Sequence, residues 1–164
     1  MNTQDAIKLY RYNAWANRRL LDSASNLSSE QLTHDLGGSF PTVRAVIAHM
    51  VLTEWVWFQR WAGKNPPGPP DWAGADLPDL ISRLRDLERD RAEFLAGLSD
   101  EQLSSRIDFT YLSGAVGSHE LQDLLIHVVN HGTFHRGQLT SMIRQLGVAP
   151  RSTDFVVFRA EEPT

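Results

Sequence analysis

Three histidines recur at every fourth position near the carboxyl end of the sequence, within LIHVVNHGTFHRGQLTSMI at residues 125–143. Side chains at positions i and i+4 of a helix lie one above the other, so neighbouring pairs among His127, His131 and His135 can grip one cation. Residues eight apart are separated by about 12 Å along the helix axis, so all three cannot bind one metal. The spacing predicts a two-histidine metal-binding face and leaves the choice of pair open.

The apolar residues of this helix indicate which pair points inward. They form one stripe at helical periodicity, made of Leu121, Leu124, Leu125, Val128, Leu139, Met142, Ile143 and Leu146. His135 falls near the centre of this stripe and His131 falls within it, whereas His127 lies at its margin. The periodicity favours His131 and His135 as ligands. The alternative is that a carbonyl or a neighbouring side chain satisfies these imidazoles.

A metal held by two histidines needs a further protein ligand from another helix. His49 is one candidate, but apolar residues surround it on all sides of its helix and do not fix which way it faces. Glu54 lies near the centre of an apolar face, where a buried carboxylate needs a partner. Glu54 could orient a ligand histidine, act as a catalytic residue on a metal-bound water, or pair with an inward arginine.

Four long amphipathic segments must position these side chains, and they predict an all-α four-helix bundle forming one domain over residues 1–164. The predicted helices cover residues 3–26 with Thr3 as the N-cap, 40–62, 76–97 opening on Asp76, and a last helix from Ser118 to Gly147. The proline- and glycine-rich run GKNPPGPPDWAG, residues 63–74, predicts a long loop between the second and third helices.

The remaining segments are shorter. LSSEQL at residues 27–32 recurs as LSDEQL at residues 98–103, and both copies precede a loop and a long helix. This faint repeat indicates short extra helical turns and two related helical hairpins. The connection over residues 98–118 is predicted to be irregular with a little extended structure, and the tail over residues 152–164 to be extended.

Composition excludes several classes of partner. The chain carries 16 Lys and Arg against 20 Asp and Glu, a net charge of -4, with no basic run for nucleic acid or an anionic membrane. Its longest apolar stretch, residues 45–61, is interrupted by polar side chains too soon to span a bilayer. The charged N-terminus lacks the apolar segment of a signal peptide, so a cytoplasmic location is expected. Because the chain has no cysteine, any thiol chemistry requires a thiol cosubstrate.

Four strings together resemble the DinB/YfiT-like family of metal-binding four-helix bundles. They are HVVNHGTFHRGQL in the last helix, YNAWANRRLL in the first, HMVLTEWVW in the second, and DFVVF near the end of the chain. The resemblance implies that three histidines bind a divalent metal, zinc or nickel, and it carries this role onto His49, His131 and His135. It also implies a homodimer.

The family resemblance further implies a function. Three protein nitrogens leave room for water or substrate, as in reactive metal sites. The first expectation is a thiol-dependent transferase of stress or detoxification metabolism that uses a low-molecular-weight thiol on a small-molecule substrate. The alternatives are a metal-dependent hydrolase and a non-enzymatic stress protein that binds a metal or small ligand.

Several polar residues could support such a site. Asn13 and Asn17 share the inward face of the first helix and could support the ligands or simply hydrogen-bond between helices. Arg136 could receive an anionic substrate or pair with an acid at the rim. Gln138 could bond a ligand imidazole or a neighbouring backbone, and His127 is expected to be a supporting or surface residue.

Overall fold

The computed structural model describes residues 1–66, 68, 70–72, 74–111 and 113–162. Four long helices, α1, α3, α4 and α6, confirm the predicted all-α bundle, and a two-stranded hairpin, β1 and β2, is added to it. The elements are α1 (Thr3–Ala24), α2 (Ser29–Thr33), α3 (Val43–Trp61), α4 (Leu77–Ala96), α5 (Asp100–Leu103), β1 (Arg106–Thr110), β2 (Val116–Glu120), α6 (Leu121–Gln145) and α7 (Phe155–Glu161). The predicted loop over residues 63–74 lies between α3 and α4, and its Pro67, Pro69 and Ala73 lie outside the described residues.

Side-chain caps fix where the helices begin. The Asn2 side chain accepts a hydrogen bond from the Asp5 backbone N–H at 2.8 Å, so the N-cap of α1 is Asn2 and the prediction of Thr3 was wrong by one residue. Asp76 caps α4 as predicted, accepting from the Asp79 backbone N–H. The two repeated hexapeptides form the single turns α2 and α5, and each begins with a Ser–Gln capping box.

The long helices form a square in which α1 and α3 both pack against α4 and α6. Consecutive long helices α1 and α3 therefore occupy opposite corners. The apolar core has two parts. One contains Leu20, Val46, Leu84 and Ile143, and the other contains Tyr10, Trp61, Leu95 and Leu125. Along every long helix, a buried polar residue lies between the two parts, so a polar layer crosses the bundle.

Because of the hairpin, the last long helix begins later in the chain than predicted. Strands β1 and β2 pair antiparallel, with Arg106 opposite Glu120 and Thr110 opposite Val116. Ser118, the predicted cap of the last helix, lies in β2, and α6 begins only at Leu121 because the preceding residues are engaged with β1. Leu112 lies outside the described residues.

The tail is helical where an extended segment was predicted. In α7, Phe158 is buried and packs against the rings of Tyr12 and Trp15 on α1, with centroids 5.7 and 5.6 Å away. Trp15 also donates its indole N–H to Glu161 at 3.0 Å. Packing on α1 thus makes this segment helical, and the local sequence FVVF could not predict that packing. Pro163 and Thr164 lie outside the described residues.

Among the described residues, no helix combines the length and the apolar character needed to cross a membrane.

A candidate metal centre between α3 and α6

Three imidazoles converge where α3 packs against α6. His131 and His135 lie one turn apart on α6, and their Nε2 atoms are 3.2 Å apart. His49 of α3 completes the group, because each of the three histidines offers a ring nitrogen within 4.8 Å of the other two. His135 is buried, while His49 and His131 are half-buried, so the group opens towards solvent on one side.

The nitrogen spacing suits a metal ion. Zinc–nitrogen bonds of about 2.0–2.1 Å at a tetrahedral angle place two ligand nitrogens about 3.3 Å apart, close to the 3.2 Å between His131 and His135. Three nitrogen donors also match the ligand preference of zinc and nickel. The residues present therefore fit a divalent cation.

A glutamine fixes the orientation of the most buried ligand. The side-chain oxygen of Gln138 lies 3.1 Å from Nδ1 of His135, so Nδ1 carries the proton and donates to Gln138. Nε2 of His135 is then unprotonated and points at His131. Of the two roles predicted for Gln138, the structure shows the bond to the ligand imidazole, which prepares the correct nitrogen for a metal.

The surroundings of His49 and His131 favour the neutral form of both imidazoles. Burial, followed by the nearby His135, His49 and His127, lowers the pKa of His131 to about 4. Burial and then His135 also lower the pKa of His49. Since metals bind the neutral imidazole, both side chains are ready to act as ligands at pH 7.

Phe40, in the loop before α3, forms a wall of this centre. Its ring lies 4.5 Å from that of His49 and 5.5 Å edge-on from that of His135. This role was not predicted, because residue 40 was expected to begin the second helix, whereas α3 begins at Val43 after the Thr42 cap.

His127 is excluded from the cluster, as its position on the stripe predicted. Its side chain is exposed, and its ring lies 6.0 Å from that of His131 and 5.1 Å from that of Trp57. His127 is therefore a neighbour of the centre that packs on an aromatic residue of α3.

Glu54 lies in the polar layer that crosses the bundle. Its Oε1 accepts hydrogen bonds from the side-chain amides of Asn13 and Asn17 at 2.9 and 2.8 Å, and its Oε2 forms a buried ion pair with Arg91. Burial alone would raise the pKa of Glu54, but Arg91 and the two amides outweigh burial and hold that pKa below its usual value. Of the three roles considered for Glu54, the structure shows the pairing with an inward arginine.

Arg91 was missed by the sequence analysis, although a signal existed. It follows Leu87 by four residues and precedes Leu95 by four, which places it on the apolar stripe of α4. A charged residue on such a stripe indicates a buried partner, and that partner is Glu54.

Arg136 belongs to the same layer, and both roles predicted for it were wrong. It is fully buried and donates to the side-chain oxygens of Asn13 at 2.7 Å, Asn17 at 2.9 Å and Thr133 at 2.7 Å. A Cβ at Gly132 would approach Arg136 Nη1 to 2.9 Å, so this glycine leaves room for the guanidinium. Asn13 and Asn17 thus hydrogen-bond between helices, and the layer ties the helix that carries two ligands to the other three.

A family model for the DinB family matches residues 1–163. The chain belongs to the DinB family. Protein DinB of Bacillus subtilis strain 168 is 29% identical over 170 residues, covering 93% of this chain and 92% of that protein.

Two solved structures share the fold. A DinB-like protein from Bacillus cereus ATCC 10987 superposes with a TM-score of 0.71 at 21% identity, covering 91% of this chain and 95% of that one. YfiT from Bacillus subtilis has a TM-score of 0.67 at 17% identity and 90% coverage of both chains. YfiT is described as a probable metal-dependent hydrolase with an unusual four-helix bundle topology.

Proposed function

We propose that this DinB-family chain is a divalent-metal-dependent enzyme whose small-molecule substrate is bound at the open side of His49, His131 and His135. The observation that carries the proposal is the convergence of three ring nitrogens, two of them from half-buried side chains. Three protein ligands with one open side are typical of catalytic rather than structural metal sites.

The chain's own residues would prepare the site as follows. His49, His131 and His135 supply ring nitrogens, Gln138 sets the tautomer of His135, and Phe40 shields one side of the centre from water. A divalent metal held by these nitrogens would supply Lewis acidity, which would lower the pKa of a water or thiol bound there towards neutrality. Zinc and nickel are the proposed ions.

Thiol transfer is the first reaction proposed. It follows from the family resemblance, and the absence of cysteine from the sequence means that a low-molecular-weight thiol must enter as a cosubstrate. In this reaction the thiol gives its proton to solvent water and the sulfur forms a bond to an electrophilic carbon of the second substrate. The bond from that carbon to the leaving group breaks, and the leaving group departs with the electron pair of that bond.

Hydrolysis is the second reaction proposed, and the fold relationship to YfiT favours it. That relationship is structural at 17% identity, so the hydrolase description of YfiT supports a reaction class and no particular substrate. The two reactions share the metal and differ in the nucleophile.

Metal content and turnover test this proposal together. The wild type loaded with zinc or nickel is expected to hold about one ion per chain, and His49→Ala to lose metal and activity. His127→Ala is the matched control, since His127 is a histidine outside the cluster and should retain both.

A substrate screen then separates the reactions. Bacterial thiols with an alkyl halide or epoxide report thiol transfer, and esters and amides without thiol report hydrolysis. A metal-loaded protein inactive in both screens would contradict the enzymatic proposal and favour a binding role. Equal metal content in His49→Ala and the wild type would contradict the site itself.

The homodimer is proposed from the family resemblance, and the cytoplasmic location continues the expectation from the sequence. We propose a cytoplasmic homodimer, and light scattering coupled to size exclusion tests the dimer: a mass of about one chain at micromolar concentration would contradict it.

A further inference from the structure

A cavity of about 740 Å³ lies between α1, α4 and α7, at the corner of the bundle away from the metal centre. Its walls are mainly apolar and aromatic, with Ile7, Tyr10, Trp15, Leu95 and Phe158 among them. This volume falls in the range of small-molecule sites, which are mostly apolar with a few fixed polar groups.

One polar group facing this cavity is unsatisfied. The Glu88 side chain is only 10% exposed, and its Oε2 accepts from Arg18 at 3.2 Å. Within the described residues, the buried Oε1 of Glu88 has no hydrogen-bond partner. A buried carboxylate oxygen without a donor is costly, so Oε1 of Glu88 is the atom to which an entering ligand could donate.

A second carboxylate lines the same cavity. The Glu162 side chain is 8% exposed, and its Oε1 lies 2.9 Å from Arg11 Nη2 but outside hydrogen-bonding geometry. Glu162 also forms an ion pair with Arg159, so its carboxylate is held by two arginines, and Glu88 Oε1 is the acceptor available to a ligand.

The arginines that line the cavity are largely occupied by acids. Arg11 faces Glu162, Arg18 faces Glu88, and Arg91 is paired with Glu54. Arg89 is likewise paired with Asp86 and Asp90. Arg85 also lines the cavity, on its exposed rim. At the buried wall, an entering anion would compete with the ion pairs of Arg18 and Arg91, whereas an entering cation meets the unpartnered Oε1 of Glu88.

We propose that this cavity binds a small organic cation, an amine with an aromatic body, whose N–H donates to Glu88 Oε1. The aromatic body packs among Trp15, Leu95 and Phe158. Arg19 and Arg91 already lie over the rings of Trp15 and Tyr10, so the positive charge of the ammonium is balanced by the Glu88 carboxylate. The site is separate from the metal centre and does not depend on its chemistry.

The charge state of Glu88 supports this assignment. Burial raises its pKa to about 7, with Arg18, Arg91 and Arg85 opposing the rise and Glu54 adding to it. A carboxylate raised in this way gains most from a cationic partner, since the cation offsets the cost of burying its charge.

Calorimetric titration with 2-phenylethylamine at pH 8 tests the proposal, with 3-phenylpropionate as the anion of similar shape. The amine is expected to bind saturably and the anion at least about tenfold more weakly. Glu88→Gln should lower amine affinity about tenfold or more, because it replaces a charged acceptor. Glu93→Gln, an exposed change on the same helix, is the matched control and should bind like the wild type.

Two further variants keep the test decisive. Ala92→Phe, on the cavity lining, should abolish amine binding by filling the space, and it serves if Glu88→Gln fails to fold. His49→Ala should bind the amine like the wild type, which locates binding away from the metal. No saturable amine binding, tighter binding of the anion, or unchanged affinity in both Glu88→Gln and Ala92→Phe would overturn the proposal.

Discussion

At the scale of single residues, the candidate metal centre depends on the tautomer and ring orientation of His135. Gln138 fixes the proton of His135 on Nδ1 and leaves Nε2 facing the nitrogens of His131 and His49. The helical stripe predicted the His131 and His135 pair. It did not predict His49, which entered only through family resemblance, because the apolar residues all round α3 hide the direction of its inward face.

Replacing Gln138 by Leu is expected to weaken metal binding by about ten- to a hundredfold, because the tautomer and ring orientation of His135 are no longer fixed. Competition with a fluorescent zinc chelator measures the affinity. Gln145→Leu, an exposed change on the same helix, is the control. Equal affinities of Gln138→Leu and the control would show that the hydrogen bond does not prepare the ligand.

Glu88 predicts an unusual dependence of stability on pH. Its pKa is about 7 in the folded chain against 4.5 for the unfolded group, so the folded state binds the extra proton between these values. The contribution of Glu88 to stability is therefore present below pH 4.5 and falls as pH rises to about 7, by about 1–3 kcal/mol.

Glu88→Gln removes this titration. The free energy of unfolding of Glu88→Gln, relative to that of the wild type, should therefore increase from pH 5 to pH 8. Urea unfolding at both pH values measures this difference, and Glu93→Gln should show no such increase. A pH-independent difference between Glu88→Gln and the wild type would contradict the raised pKa.

At the scale of secondary-structure elements, a buried polar layer joins all four long helices. Glu54 of α3 bonds to Asn13 and Asn17 of α1 and pairs with Arg91 of α4, and Arg136 of α6 bonds to the two asparagines. Helix α6, which carries two metal ligands, is thus held in register with the rest of the bundle.

Arg91→Met should lower the free energy of unfolding by about 3–5 kcal/mol, because it leaves the Glu54 carboxylate buried without a cation. Urea denaturation measures this loss, and Arg89→Met, on the exposed face of α4, should change stability by less than about 0.5 kcal/mol. The double variant Glu54→Gln/Arg91→Met should recover part of the loss. A loss below about 1 kcal/mol in Arg91→Met would mean that the layer does not stabilise the bundle.

The long helices could be predicted because apolar stripes and caps are local signals. The errors occurred where tertiary contacts decide the structure. Strand pairing holds Ser118 in β2 and delays the start of α6, and packing of Phe158 on α1 makes the tail helical. Arg136 was expected to pair with an acid at the rim or to receive an anionic substrate, because the spacing within α6 does not show that Asn13 and Asn17 of the neighbouring α1 face it.

At the scale of the whole molecule, the bundle presents two separate sites. The metal centre lies between α3 and α6, and the proposed amine cavity lies between α1, α4 and α7. Arg91 lines the cavity and pairs with Glu54 in the polar layer, so this layer lies between the two sites.

X-ray absorption spectroscopy of the zinc-loaded protein tests the central claim most directly. We predict a first shell of three imidazole nitrogens at about 2.0–2.1 Å with at least one exchangeable oxygen or added ligand, and the loss of one imidazole in His49→Ala but not in His127→Ala. A shell closed by four protein ligands, or one unchanged by His49→Ala, would contradict an open centre built from His49, His131 and His135.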